Sequence, residues 1–413
     1  MAFEEKEPET GRKVSPGQPG QGEEEGDEPS GEPAGPREAP VRQVDLHSHR
    51  EGSGAIILCK YKSPGQLGSR VVCLAALWGG ACLLSLSLFW SLILFSLSCF
   101  LLYMLSSGQE LLPVDGKAVL VTGSDSGFGH GLAKHLDKLG FTVFAGVLDE
   151  NGSGAEELRR SCSKRLSVLQ MDVTNQQQIK DAYSKVVEKV QDKGLWAVIN
   201  NAGILCFPMD GELIPMADYK ACMAVNFFGA VEVTKTFLPL LRKSKGRLVN
   251  ISSLGGVFPL QQMAAYGSSK AALTMFSSVM RLELSKWGVK VSVILPGGFR
   301  TSIGGTSESW DKKMQVVLDH LPPEVQEDYG RDYILEQKNF LRSFKFSCNP
   351  DITPVMRVVE HAVSAKSPSA FYEPGRDVYM SLLMASFVPT SVVDYFSKKN
   401  YTVVRSSVLG MPK

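Results

Sequence analysis

Six short apolar runs alternate with longer amphipathic stretches: Ala118 to Val121, Thr142 to Val147, Leu166 to Met171, Leu195 to Ile199, Arg247 to Ile251 and Lys290 to Leu295. Short apolar runs without a polar alternate face suit strands buried on both sides, and the stretches between them are long enough for crossover helices. That rhythm predicts an α/β chain with a Rossmann-like, doubly wound parallel sheet of about seven strands and helices on both faces. One catalytic domain would span residues 115–380. The 44% hydrophobic content of the 413-residue chain can fill its core.

A second constraint lies upstream. From Val71 to Gln109 there is no charged residue or histidine, and Leu, Phe, Trp and Cys dominate. A bilayer core takes about 20 apolar residues, so residues 71–107 read as an N-terminal transmembrane anchor of one long or two short spans. The run begins too far into the chain, and is too long, for a secretory signal. Lys60, Lys62 and Arg70 precede it while Glu110 and Asp115 follow, which puts the N-terminal side in the cytosol. One span would leave the catalytic domain lumenal and a hairpin would leave it cytosolic. Residues 1–54 are rich in Glu, Pro and Gly and read as a disordered tail. Residues 381–413 read as an apolar helix and tail that can dip into a membrane surface.

Composition removes several function classes. A net charge of +1 without a basic block gives no footprint for nucleic acid. Eight cysteines scattered without Cys-x-x-Cys spacing indicate neither a disulfide framework nor a metal site.

The first strand candidate runs into Thr122, Gly123, Ser124, Asp125, Ser126, Gly127, Phe128 and Gly129, with a helix to about Leu139. Glycines between strand and helix let the backbone approach a pyrophosphate, whose charge meets the helix N-terminus. After the second strand come Asp149 and Glu150, with no basic residue there or in the glycine turn. A carboxylate at that position accepts from a ribose 2′-hydroxyl and repels a 2′-phosphate, so the expected cofactor is NAD. Asp172 and Val173 end the third strand, and Asn200, Asn201, Ala202 and Gly203 the fourth, lining the crevice at the strands' carboxyl ends.

Tyr266 and Lys270 lie four apart on a helix predicted from Ala264, so their heads can meet. An ammonium beside a phenol favours the phenolate, pulling its pKa from about 10 towards neutrality and fitting it for proton exchange with an alcohol or carbonyl. Ser253, thirteen residues upstream, can hold the same oxygen. The pair alone is weak, because Tyr395 and Lys399 repeat the spacing without any accompanying motif.

The glycine turn, Asn200 to Gly203, Ser253, Tyr266 with Lys270, and Pro296-Gly297-Gly298 resemble, in order and spacing, the short-chain dehydrogenase/reductase superfamily across some 270 residues. Thr122 to Gly129, Phe371 to Gly375 and the insert from Leu321 to Gly330 are most similar to its membrane-bound branch of retinol and 17β-hydroxysteroid dehydrogenases. The match begins near Cys59 and fades after about residue 396. The resemblance implies NAD-dependent oxidation of 17β-hydroxysteroids such as estradiol and testosterone, with 20α-hydroxyprogestins as further substrates, in the endoplasmic reticulum membrane. It implies Tyr266 as general base, Lys270 as its electrostatic partner and ribose ligand, Ser253 as the substrate-oxygen ligand, and Asn226 as the holder of a water beside the lysine. Pro296, Gly297 and Thr301 would join the cofactor contacts. Trp310, Met314, Leu318, Phe340 and Phe344 could wall a steroid pocket. The expected partners are a steroid, the membrane and a second copy of the chain as a homodimer, with no nucleic acid. Retinol oxidation is the alternative within the branch, and a catalytically silent nucleotide-binding scaffold the alternative outside it.

Overall fold

In the computed structural model the described residues are Gly79, 88–106, 110–337 and 348–400. The tail at 1–54, the basic residues before the apolar run, most of that run before Leu88, Phe340, Phe344 and residues 401–413 lie outside them.

The strands are β1 (Ala118–Val121), β2 (Thr142–Val147), β3 (Leu166–Gln170), β4 (Ala197–Asn200), β5 (Arg247–Ile251), β6 (Lys290–Ile294) and β7 (Phe371–Tyr372). They form one seven-stranded sheet of order β3-β2-β1-β4-β5-β6-β7, every pair parallel. Three strands match the expected bounds, while β3, β4 and β6 differ from them by one or two residues. The two-residue β7 carries no run of its own in the sequence. It is held by register with β6, Val293 opposite Phe371 and Ile294 opposite Tyr372.

Period-two alternation sends neighbouring strand residues to opposite cores. Val119 and Val121 pack with Leu132 and Leu136 of α2 (Gly127–Leu139), with Leu158 of α3 (Ser153–Ser161) and with Val355 and Val359 of α10 (Thr353–Ser364). Ala118 and Leu120 pack with Ile179 and Val186 of α4 (Gln176–Val190) and with Val233 and Phe237 of α6 (Ala230–Ser244). Each strand is thus buried on both faces.

The strand order reverses between β1 and β4, so the crevice for a ligand opens at their carboxyl ends. Above it, α5 (Met216–Met223), α8 (Ser307–His320) and α9 (Pro323–Tyr329) enclose a third apolar cluster with Phe207, Met209, Trp310, Met314, Leu318 and Ile334. Asp210 pins this cap, accepting from Tyr333 Oη (2.6 Å) and Gln337 Nε2 (3.1 Å).

Ahead of the domain, α1 (Leu88–Ser106) is 19 residues long without a charged side chain. Trp90, Leu92, Ile93, Leu94, Phe95, Leu97 and Phe100 are all exposed, which puts apolar surface on every side of it. Among the described residues, the one helical stretch long and apolar enough to cross a bilayer is Met216–Ser244, but 39% of its most apolar window is buried and its α6 part is a core helix.

Candidate active site

A single cavity of about 1480 Å³ runs from the glycine turn to Tyr266. That exceeds the ~300–1,000 Å³ of a site for one drug-sized ligand and leaves room for two molecules side by side. At one end Gly123 (φ +64°) and Gly127 (φ +58°) adopt the left-handed backbone that other residues avoid. A Cβ at Gly123 would lie 2.8 Å from Ala202 Cα, and one at Gly127 would fill space against Thr301. The turn is therefore a cradle kept open by absent side chains, followed by α2, whose first turn has no side-chain cap. These features fit a dinucleotide pyrophosphate.

The site is stitched together by amides and hydroxyls. Asn201 Nδ2 donates to the Thr122 and Gly123 carbonyls (2.9 and 3.1 Å), and the N–H groups of Asn201 and Ala202 donate to Thr122 Oγ1 (3.0 Å each). Of the residues expected at the cofactor, Gly123, Asp125, Gly127, Phe128, Asp172, Val173, Ala202, Gly203, Lys270, Pro296, Gly297 and Thr301 line the cavity.

Others lie behind it. Ser124 is buried and donates to the Val121 carbonyl (3.1 Å). Gly129 allows α2 to approach the Gly123 carbonyl, where a Cβ would collide. Asn200 turns away from the crevice and donates to Thr234 Oγ1 (2.9 Å) and Asn250 Oδ1 (2.8 Å) between β4, β5 and α6. Asp149 is exposed, outside the cavity lining, and accepts from the Asn151 N–H (3.0 Å). The carboxylate beside this loop that does line the cavity is Asp125, which accepts from the Leu148 N–H (2.8 and 3.0 Å). Asn201, expected at the crevice together with Asn200, is the one of the two that lines the cavity, since β4 ends at Asn200 and the next side chain points the other way. Leu148 and Ser302 line it as well, outside the set of expected cofactor contacts.

At the other end α7 (Ala264–Glu283) carries Tyr266 and Lys270 on one face. Lys270 is buried, its ammonium 5.8 Å from the Tyr266 ring centre and donating to the Ile251 carbonyl (2.9 Å). Burial pulls its pKa down to about 8. Burial likewise pushes the Tyr266 phenol up to about 12, and a hydrogen bond from Ser253 offsets this only in part. The expectation of a phenol drawn towards neutrality by its lysine is therefore corrected: desolvation of the charged form is the largest influence, and the one that lowers the pKa is the hydrogen bond from Ser253. Ser253 lines the same wall and accepts from the Gly255 N–H (3.1 Å).

Asn226 sits in a π-helical turn, Ala224–Gly229, between α5 and α6. It is fully buried, accepting from the Ile204 N–H (2.8 Å) and donating to the Ile204 carbonyl (3.0 Å) and Ser269 Oγ (2.9 Å). It anchors the loop after β4 and does not line the cavity. Trp310, Met314 and Leu318 pack in the cap's own core, and the apolar cavity wall comes instead from Leu205, Leu254, Leu260, Met263, Ile303 and Val378.

The short chain dehydrogenase family model matches residues 117–312, the segment that holds the glycine turn, Ser253, Tyr266 and Lys270. The chain is 65% identical over 349 residues to "Estradiol 17-beta-dehydrogenase 2" of Mus musculus, covering 84% of this chain and 92% of that protein. It is 66% identical over 346 residues to "17-beta-hydroxysteroid dehydrogenase type 2" of Homo sapiens, covering 84% and 89%. Among solved structures, a short-chain dehydrogenase from Streptomyces avermitilis superposes with a TM-score of 0.54 at 22% identity, covering 70% of this chain and 98% of that one.

Proposed function

The chain belongs to the short-chain dehydrogenase family, an oxidoreductase family with a nicotinamide cofactor, and from that premise we propose that it oxidises 17β-hydroxysteroids such as estradiol and testosterone with NAD. One observation carries this reading. Tyr266, Ser253 and Lys270 line the same cavity as the glycine cradle, together with the apolar side chains of Leu205, Leu254, Leu260, Met263, Ile303 and Val378.

A bound nicotinamide ring would supply the hydride acceptor. Gly123, Gly127, Asp172, Val173, Ala202, Gly203, Lys270, Pro296, Gly297 and Thr301 would hold the cofactor. Ser253 would fix the substrate oxygen by hydrogen bonding and Tyr266 would take the hydroxyl proton. For Tyr266 to act as base, its phenol must be brought down from about 12. Lys270, still mostly protonated at pH 7 with a pKa of about 8, is the positive charge available for that. Asn226 would serve by holding the Ile204 loop against the same lysine's surroundings. The lack of a basic residue within the glycine turn and within the stretch from Val147 to Glu150 supports NAD over NADP.

The exposed apolar helix α1, about 29 Å long at 1.5 Å per residue, supports a membrane anchor, and the resemblance supports the endoplasmic reticulum as its membrane. Exposed Phe228, Met275, Val279, Leu282 and Trp287 on and just after α7 and the π-helical turn offer a face for a homodimer.

The test is reduced-cofactor formation by membranes bearing the expressed protein, with estradiol and all-trans-retinol offered separately and NAD and NADP compared. Estradiol turnover with NAD that Tyr266→Phe abolishes, while nucleotide binding persists, is the expected outcome. Turnover of retinol alone would move the reading to the alternative within the branch, and nucleotide binding without any turnover would leave only a scaffold.

A further inference from the structure

Two free thiols meet at the wall of the substrate space. Cys206 lies in the loop after β4, lines the main cavity and is 6% exposed, and Cys222, on α5, is fully buried. Their sulfurs are 2.6 Å apart, and the Cys206 thiol also donates to the Asp218 carbonyl (3.1 Å). A disulfide needs about 2.05 Å between sulfurs, so closing the bond asks for a movement of only about half an ångström. A small second cavity of about 40 Å³ also borders Cys206, between the β4 loop and α8, with room for a molecule the size of water or peroxide.

The backbone around the pair belongs to the active site. Asn226, one helical turn beyond Cys222, grips Ile204, two residues before Cys206, through both its N–H and its carbonyl. Leu205, between them, lines the cavity. A covalent link from Cys206 to Cys222 would therefore fix the segment that borders the substrate at a second point, while leaving the glycine cradle at the other end untouched.

We propose that Cys206 and Cys222 form an oxidisable dithiol, closed by a peroxide into a disulfide that tightens the substrate wall without affecting the dinucleotide cradle. Cys206, the sulfur on the cavity, attacks the O–O bond of hydrogen peroxide; a sulfenic acid forms and the departing hydroxide leaves as water with the thiol proton. Cys222 then attacks that sulfur, the S–O bond breaks, and its own proton leaves with the hydroxyl as a second water. Each sulfur loses one electron overall, and one peroxide is reduced to two waters. A thiol reductant reverses the change.

The effect on turnover rests on the steroid reading, but the covalent change does not. The full chain in detergent micelles is treated with hydrogen peroxide, its remaining thiols are blocked with N-ethylmaleimide, and its peptides are mapped by mass spectrometry. The expected result is a Cys206–Cys222 linked peptide, two hydrogens lighter than its parts, absent in Cys206→Ser and in Cys222→Ser and lost on adding dithiothreitol. Alongside it, the KM for estradiol should rise several-fold and recover with dithiothreitol, with NAD affinity unchanged. Both cysteines found alkylated after peroxide, or linked only to other cysteines, would overturn the proposal. A linked peptide with unchanged KM would overturn its action on the substrate wall. Untreated protein that turns over no steroid would count against the activity reading alone, because the peptide map is independent of it.

Discussion

Lys270→Met should make the protein more stable when no nucleotide is added, while destroying its activity. Lys270 is 3% exposed, and burial holds its pKa at about 8, against 10.5 in an unfolded chain. At about 1.4 kcal/mol per pKa unit, the charged form costs the fold about 3 kcal/mol at pH 7. Methionine fills much the same space without the charge, and forfeits the bond to the Ile251 carbonyl, worth about 1 kcal/mol. The net gain is about 2 kcal/mol, or roughly 30-fold in the folding equilibrium. It depends on pH with a definite sign. Between pH 8 and 10.5 the unfolded wild type holds the lysine proton and the folded one does not, so wild-type stability rises with pH there. The advantage of the variant should be full below pH 8 and almost gone by about pH 10. Urea unfolding in detergent, followed by the fluorescence of buried Trp310 and half-buried Trp196, measures it at both pH values without nucleotide. Turnover should fall by about 100-fold or more, the scale of lost acid–base assistance. A variant that is less stable at pH 7, or whose advantage is the same at both pH values, would refute the claim that burial of a charged Lys270 dominates its energetics.

Gly129→Ala drives a Cβ into the Gly123 carbonyl and Asn201 Nδ2, so dinucleotide affinity should drop by at least about 10-fold while circular dichroism stays that of the wild type; NADH fluorescence enhancement reads the affinity. Asn226→Ala removes three buried hydrogen bonds, and urea unfolding should show a loss of about 2–4 kcal/mol, with turnover falling as the Ile204 loop loosens. Because burial leaves the Tyr266 phenol protonated at neutral pH, alcohol oxidation should climb between pH 6 and 9, by up to about 10-fold per pH unit, and ketone reduction should not; initial rates in both directions check this. A flat oxidation profile would mean that the ligands lower that pKa below the range tested.

The sheet was legible because its strands are apolar on both faces and bounded by turns, a pattern that local sequence alone expresses. β7 was not, since two residues carry no period and Phe371 and Tyr372 become a strand only through β6. At the site, motif order marked the glycine turn, Ser253, Tyr266 and Lys270, all of which line one cavity. What spacing could not express was direction. Asn200 and Asn201 are adjacent and chemically identical, yet one bonds Asn250 inside the sheet and the other stitches the glycine turn. Trp310 and Met314 looked like pocket walls by composition, but pack into the cap. The lowered lysine and raised tyrosine pKa values come from burial by segments distant in sequence, so no local pattern announces them.

The cost of keeping Lys270 buried helps explain why small residues surround it. A Cβ at Gly203 would come 3.3 Å from the Lys270 ammonium and 3.2 Å from Asn226 Oδ1, and one at Gly256 would lie 2.8 Å from the Lys270 carbonyl carbon. Side chains there would push the lysine out towards water, relieving its desolvation and restoring an ordinary pKa. The glycine ending the Asn-Asn-Ala-Gly turn thus does two jobs: it opens the cavity where a dinucleotide would pass, and it leaves the ammonium held between the Ile251 carbonyl and the cavity. A lysine so held stays mostly protonated at pH 7, and a phenol raised to about 12 is lowered by a positive charge beside it. Bringing Tyr266 into the range where it can exchange a proton therefore rests on positive charge in the cavity, and the buried Lys270 one turn away on α7 is placed to supply it.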